Sequence, residues 1–312
     1  MERCNACPRR CNIVRRRTLD DSVGTVGFCG VPQRPIVARA ALHFDEEPCI
    51  SGTRGSGAIF FSGCNLRCCF CQNHTISRAP HGVEVEASAL RSAMEQLIAK
   101  GAHNVNLVTA SHVQQEVERA LRAPLAVPVV WNSSAYESVE AIERLADKVD
   151  VYLPDLKYMD PMLSARYSAA PDYVEVACAA IDAMVQQVGP PQFDADGLLT
   201  RGVMVRHLML PSHRVDTARV LAYLSQRFQK GEVLVSLMSQ YVPCGDAVAF
   251  PEIDRRLTRF EARKGREALD VYGLEEGYVQ ELSAADTAFI PAFDGTGVKQ
   301  PGAGKTPGDG EG

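Results

Sequence analysis

Apolar positions along the chain recur with two alternating periods. AIFFSGC (58–64) is an apolar run of strand length followed by a polar loop. Across 86–100, Leu90, Met94, Leu97 and Ile98 recur at helical spacing until Gly101 ends the pattern. NVNLVTA (104–110) predicts a strand and 112–122 a helix. VPVVWNSS (127–134) predicts a strand, and 137–148 a helix with Val139, Ile142 and Leu145 on one face. VDVYLPDLK (149–157) reads as a strand. Residues 171–188 carry Val174, Ala177, Cys178, Ile181, Val185 and Val188 at helical spacing. GVMVRHLMLP (202–211) is a strand, 215–229 a helix with Val220, Leu221, Leu224 and Phe228 on its face, EVLVSLMSQY (232–241) a strand, and 251–271 a final helix.

Strand and helix thus alternate through about six βα units, the pattern of an α/β fold with a parallel sheet and helices outside it. Six units suit a doubly wound sheet or a barrel. In both, reactive loops lie at the C-terminal ends of the strands. GTRGSG (52–57) precedes a strand instead of joining strand to helix, so it fails as a phosphate loop and reads as a turn.

Composition narrows the class. The chain has 312 residues, 46% hydrophobic and 23% charged, with a formal net charge of -5. No basic surplus points to nucleic acid or acidic lipid. No apolar run reaches the ~18 residues of a membrane helix, and MERCNACPRRC has no apolar stretch behind its charges. The expectation is a cytoplasmic protein with neither nucleic acid nor membrane as partner. Residues 294–312, DGTGVKQPGAGKTPGDGEG, are rich in Gly, Pro and charge and predict a disordered tail.

The cysteines carry the chemistry. The chain has 11, and in a reducing compartment clustered cysteines point to metal or redox sites. Cys64, Cys68 and Cys71 form C-x3-C-x2-C directly after a strand, in FFSGCNLRCCFCQN. Short spacing on one loop lets several thiolates bind one iron–sulfur cluster, and three ligands leave one iron of a 4Fe–4S cube open to a small molecule. Cys69 is the spare thiol within the triplet. A zinc knuckle is the plainer alternative. Cys4, Cys7, Cys11 and Cys29 supply four more thiols, enough for a closed zinc site or a second iron–sulfur cluster. Cys178 lies on an apolar helical face and reads as a small core residue.

CNLRCCFC matches the signature of the radical S-adenosylmethionine superfamily, and the chain resembles its pyruvate formate-lyase activating enzyme-like branch, in particular the PflX-type proteins. The likeness runs through CPRRC, ARAALHFDEEPCISGTRGSG, FFSGCNLRC, CQN, GAHNVNLVTASH, YLPDLKY, RHLMLP, SLMSQY and FIPAFD. It implies a partial (β/α)6 TIM-like barrel over 48–293, behind a small Cys-rich N-terminal metal-binding segment over 1–47. It also implies a 4Fe–4S cluster on Cys64, Cys68 and Cys71, whose fourth iron is chelated by S-adenosylmethionine. The products would be methionine and a 5′-deoxyadenosyl radical that abstracts hydrogen. The partners it implies are a reducing electron donor and a glycyl radical enzyme, another protein or a small molecule as substrate.

The resemblance places Phe70 and Asn73, in the cysteine loop, beside the cofactor. Asp155 and Lys157 read on their own as a solvated turn pair. By resemblance they belong to a DLK element that holds S-adenosylmethionine and a nearby monovalent cation, Lys157 as a compact charge and Asp155 as a hard oxygen ligand. Asn132 and Ser133 look like a helix cap. They fall where activating enzymes read DTNG, with Asn132 replacing the acidic position. Thr109, Ser111 and His112 stand where a GGE-like stretch is usual and offer hydrogen-bonding groups without a carboxylate. Thr109 is the cofactor contact carried forward, and helix capping is the alternative for Ser111 and His112. His207 reads as a core histidine beside Arg206, and Gln240 and Tyr241 as substrate-side contacts at a strand end. The competing class is a non-catalytic iron–sulfur electron-transfer or redox-sensing protein, which would close all four iron positions with its own ligands.

Overall fold

The computed structural model describes residues 3–274, 277–280 and 291–298. An irregular N-terminal stretch leads into β1 (Ile36–His43), the single turn α1 (Pro48–Ser51) and β2 (Ser56–Phe61). The loop after β2 holds the short α2 (His74–Ser77), and β3 (Val83–Glu84) and α3 (Ala87–Ala99) follow. Then come β4 (Val105–Val108), α4 (Gln114–Ala120), β5 (Val129–Ser133), α5 (Val139–Glu143) and β6 (Val151–Pro154). Two helices, α6 (Pro161–Ser168) and α7 (Tyr173–Val188), precede the hairpin strands β7 (Gln192–Phe193) and β8 (Leu199–Leu208). The chain continues through α8 (Arg214–Arg227), β9 (Leu234–Met238), α9 (Arg259–Val271) and β10 (Tyr278–Gln280).

The strands form one mixed sheet in the order β10-β9-β8-β6-β5-β4-β2-β1-β3, with β7 hairpinned onto β8. From β2 to β10 the pairings are parallel, while β1 runs antiparallel to β2 and β3. Each parallel strand lies beside its predecessor, so the order never reverses, as a doubly wound sheet would require. Right-handed crossovers then put successive helices on the same face. The pleat sorts side chains accordingly. Ile59, Leu107, Trp131, Tyr152, Val205 and Leu237 join the main core with Leu90, Met94, Ile181 and Leu221 of the helices. Their strand neighbours Val130, Val151, Leu153, Met204 and Leu234 point the other way and are covered by Cys49 and Ile50 of α1.

Several elements differ from the periodic reading. The helix expected over 137–148 is only Val139–Glu143, capped by Ser138, and the chain turns through Asp147 at φ 61°. Helix α6 escapes the apolar count because its buried face is Ser164, Tyr167 and Ser168. Strand β1 is buried on successive residues instead of alternately, so period 2 does not mark it. The first residues of the expected tail are held: the Ala40 N–H donates to Thr296 O at 2.8 Å and the Gly295 N–H to Ala38 O at 2.9 Å. Residues 299–312 lie outside the described residues. Among the described residues no helix is long and apolar enough to cross a membrane.

Candidate functional site

A cavity of about 400 Å3 lies on the sheet face opposite the long helices. Its wall comes from the C-terminal ends of the parallel strands: Phe60 of β2, Val108 of β4, Asn132 and Ser133 of β5, Leu208 of β8, Met238 of β9 and Gln280 of β10. All of these except Ser133, which ends its strand, continue the inward-facing parity of Val130, Met204 and Leu234. Short apolar strands therefore fix which side chains reach it.

The loop after β2 brings Cys64, Cys68 and Cys71 into this cavity with Phe70, Gln72 and Asn73. The loop leaves β2 through Gly63 at φ 83°, where a Cβ would stand 2.8 Å from Cys29 O and 2.7 Å from Val31 Cγ2. Only glycine suits a left-handed turn with backbone this close. Cys64 Sγ accepts the backbone N–H groups of Leu66 at 3.3 Å and Arg67 at 3.4 Å. Cys68 Sγ accepts the Ser168 hydroxyl at 3.0 Å. Burial pushes the Cys71 thiol up to about 12, helped by Cys64 and Cys68, and pushes Cys68 up despite Lys157 nearby. Cys69 is turned to other neighbours. It does not line the cavity, its N–H donates to Tyr167 O, and its C=O accepts from Asp246 N.

The N-terminal segment clamps this loop. The Arg9 guanidinium donates to Asn65 O at 2.7 Å, Ser168 O at 2.9 Å and Ala169 O at 2.5 Å, and lies 3.9 Å over the Phe28 ring. Arg15, buried, donates to Val31 O, Pro32 O and His112 O. Both arginines fasten carbonyls that no regular element satisfies.

Asp155 and Lys157 also line the cavity, but not as a solvated turn pair. Lys157 Nζ donates to Asp155 Oδ2 at 2.8 Å, with both side chains under 20% exposed. Burial works against the Lys157 ammonium, but Asp155 and the nearby Cys68 thiol outweigh it and its pKa is raised. Arg206, on the inner face of β8, donates to Asp155 Oδ1 at 2.9 Å, to Glu46 Oε2 at 2.9 Å and to Asn132 Oδ1 at 2.5 Å. Glu46 Oε1 accepts from Asn106 at 3.0 Å and Asn132 at 3.1 Å. One buried network therefore runs from the thiol loop across the sheet to the segment before α1. Burial alone would raise Asp155, but Lys157 and Arg206 hold its carboxyl below the ordinary range.

Every residue that sequence reasoning put beside a cofactor lines this one cavity: Phe70, Asn73, Thr109, Asn132, Ser133, Asp155 and Lys157. Thr109 takes φ 60° and its N–H donates to Asn132 O at 2.8 Å, which turns the end of β4 inward. Ser133 Oγ serves the local turn, donating to Glu137 Oε2 at 2.9 Å and accepting from Ala135 N at 3.2 Å. Gln240 also lines the cavity. Tyr241 does not: it is buried with its hydroxyl on Ile253 O. His112 bonds Ser62 O at 2.8 Å and His207 bonds Leu156 O and Thr217 Oγ1, both away from the cavity. Sequence reasoning missed Glu46 and Glu47. The run DEEPC enters only within the longer likeness, and nothing in its spacing shows that it crosses the inner face of the sheet.

Cys4, Cys7, Cys11 and Cys29 share one neighbourhood outside the cavity. Burial pushes Cys7 up to about 12, and charge on Cys29, Cys11 or Cys4 adds to it. Among the described residues, no three His, Cys, Asp or Glu side chains close on one point as a single metal ion requires. A 4Fe–4S cube bonds each thiolate to a different iron, so its ligands stand further apart than those of one ion.

No protein-family model matches the chain. By sequence it is similar to an uncharacterized protein of Methanocaldococcus jannaschii, 28% identical over 290 residues that cover 87% of this chain and 75% of that protein. Among solved structures it is similar to Streptococcus suis SuiB bound to S-adenosylmethionine, with 12% identity and a TM-score of 0.47 over 71% of this chain. That match spans about half of SuiB, 49%. It is also similar to a domain of pyruvate-formate lyase-activating enzyme from Bacteroides vulgatus, with 11% identity and a TM-score of 0.36 over 54% of this chain and 89% of that domain.

Proposed function

We propose that the chain is a radical S-adenosylmethionine enzyme, holding a 4Fe–4S cluster on Cys64, Cys68 and Cys71 and binding S-adenosylmethionine in the adjoining cavity. The observation that carries this reading is the convergence of those three thiols with Lys157 on one cavity at the strand ends. The donors suit the group. Backbone N–H groups and a serine hydroxyl already aim at the Cys64 and Cys68 sulfurs, as charged thiolates need. A reduced cluster bound there would supply the electron that breaks the sulfonium bond, giving methionine and a 5′-deoxyadenosyl radical that takes hydrogen from the substrate.

The chain's own residues bind and orient. Lys157 offers a fixed positive charge to the methionyl carboxylate, and Asp155 holds its ammonium in place. Asn132 and Thr109 present polar groups along the wall, Asn73 does so from the cysteine loop, and Phe70 supplies an apolar one. The unreversed strand order supports a partial (β/α)6 barrel around the site. The reading requires a reducing electron donor. Its hydrogen donor is a glycyl radical enzyme, another polypeptide or a small molecule. It includes a second metal on Cys4, Cys7, Cys11 and Cys29: iron–sulfur, whose thiolates stand further apart, or zinc, for which these thiols would have to close further than they do in this structure.

The test is electron paramagnetic resonance of the anaerobically reconstituted, reduced protein. A 4Fe–4S signal that shifts on adding S-adenosylmethionine supports an open iron. A signal that ignores it favours the closed, electron-transfer alternative.

A further inference from the structure

Beyond Arg206, on the side of the cavity away from the thiols, sits a carboxylate that the network does not use. Glu47 stands at the N-cap position of α1 without a side-chain capping bond, lines the cavity and is 2% exposed. Its neighbour Glu46 is fully engaged by Arg206, Asn106 and Asn132. Neither oxygen of Glu47 has a hydrogen-bond partner among the described residues. The Ser236 hydroxyl, on the inner face of β9, is close enough to favour the charged form but forms no well-aligned hydrogen bond with it. Leaving a buried polar group unpaired costs about 1–3 kcal/mol, and more for a charge.

Besides the Ser236 hydroxyl, two other unsatisfied atoms on this face have the same character as the Glu47 oxygens. Asn106 Oδ1 and Gln240 Oε1 are buried acceptors without a donor. Gln240 spends its amide N–H on Gln280, which leaves its oxygen free. Among the described residues that line the cavity, the unsatisfied buried atoms are the two Glu47 oxygens and Gln240 Oε1, all acceptors, and they call for a ligand that brings donors, as ammonium and guanidinium groups do.

We infer that Glu47, with Gln240 beside the same cavity, binds a cationic nitrogen group of the substrate, an alkylammonium or a guanidinium. This rests on the enzyme reading above and adds the substrate's chemistry to it. The ordering of groups separates the two functions. Lys157 lies next to Cys68 and Cys71, Asp155 next to Lys157, Arg206 next to Asp155 and Glu46 next to Arg206. Glu47 follows at the far end, where a substrate would extend from the reactive position.

The groups that face Glu47 are Arg206 from β8, Glu46 beside it, Tyr278 from β10 and Cys49 in α1. Tyr278 and Cys49 are pushed upward by burial, Cys49 to about 11, and stay neutral near pH 7. Burial, opposed by Arg206, raises Glu47 itself. An ammonium partner favours the carboxylate, so affinity for a cation rises with pH as Glu47 deprotonates.

The test is calorimetric titration of the anaerobically reconstituted full chain with n-butylamine, n-butylguanidine, sodium butyrate and the blocked peptide acetyl-Gly-Lys-Gly-amide. At least one cation is expected to bind, with affinity rising with pH, and butyrate is not. Glu47→Gln should weaken that cation at least ten-fold while keeping the wild-type melting profile. If the variant does not fold, the pH dependence of the wild-type titration stands as the test. Binding of the peptide alone assigns a polypeptide side chain, and binding of the free cations alone assigns a small molecule. No binding by any cation overturns the inference, as does equal affinity in Glu47→Gln. Potassium chloride giving the same heat also overturns it, because Glu47 would then hold an alkali cation. The titration does not read S-adenosylmethionine cleavage. Cation binding without 5′-deoxyadenosine formation would remove the enzyme reading alone, and the reverse would remove this inference alone.

Discussion

Replacing Arg206 by methionine should expose how far the polar network holds the site together. Arg206 is 12% exposed, Glu46 10% and Asp155 19%, so the three charges are mostly removed from water. The guanidinium makes two charge-assisted bonds at 2.9 Å and a third to Asn132. Removing one partner of a buried ion pair costs about 3–5 kcal/mol, because the remaining charge stays buried. Asp155 keeps Lys157, at 2.8 Å, and Glu46 keeps only two amide donors. One carboxylate is therefore left without a counter-charge, and the lower end, about 3 kcal/mol, is expected. The cost has a pH signature. Asp155 is depressed in the folded wild type, so its contribution is present above its unfolded pKa and lost as pH falls. In Arg206→Met the stranded carboxyl binds protons more readily when folded than unfolded, so the deficit shrinks as pH falls toward the unfolded carboxyl value of about 4.3, and shrinks further below it as the wild type loses the Asp155 contribution. Urea denaturation of wild type, Arg206→Met and the double variant Glu46→Gln/Arg206→Met measures this. The double variant should recover part of the loss. A cost below about 1 kcal/mol that is flat with pH and unrelieved by Glu46→Gln would refute the network as described.

Three further outcomes are expected. Cys68→Ala should lose the iron of the cavity cluster while Cys69→Ala retains it, read by iron content and absorbance; the opposite result would exchange their roles. Burial depresses His112 to about 3 and His207 to about 4 from 6.5, so their contribution is present above pH 6.5 and lost as pH falls toward those values. Between them this amounts to several kcal/mol, at ~1.4 kcal/mol per pKa unit. Urea denaturation should show stability falling from pH 6.5 to 4, with a shallower slope in His207→Gln, and an unchanged slope would contradict the assignment. Cys7→Ser should lower total metal per chain without removing the cavity cluster; metal content equal to wild type would take the second metal out of the account.

The sequence makes the thiol loop legible because its three cysteines lie within eight positions after one strand, and local spacing carries the information. The strands were legible for a similar reason. Val130, Leu153 and Met204 are fully buried on the inner face just as Trp131, Tyr152 and Val205 are on the outer one. Both faces are therefore apolar, and the runs read as buried parallel strands. What local spacing could not carry is the far side of the site. Glu46 meets Arg206 across 160 positions and Asn132 across 86. It sits in an irregular segment that no period marks. Asp155 and Lys157 read on spacing alone as a solvated pair, because two charges after a strand usually are, and only the DLK resemblance put them beside a cofactor. Their burial depends on Arg206 and on the cysteine loop closing over them. The Arg9 clamp was invisible too, since a guanidinium satisfying loose carbonyls at Asn65 and Ala169 leaves no pattern in sequence.

The central claim is that the three-thiol cavity cleaves S-adenosylmethionine. Its most direct test is to reconstitute and reduce the protein without oxygen, add S-adenosylmethionine and separate the products by chromatography. The account predicts 5′-deoxyadenosine and methionine, both lost in Cys64→Ala, Cys68→Ala and Cys71→Ala. A reduced 4Fe–4S cluster with no 5′-deoxyadenosine, even after the cationic ligands of Glu47 are supplied, would contradict it.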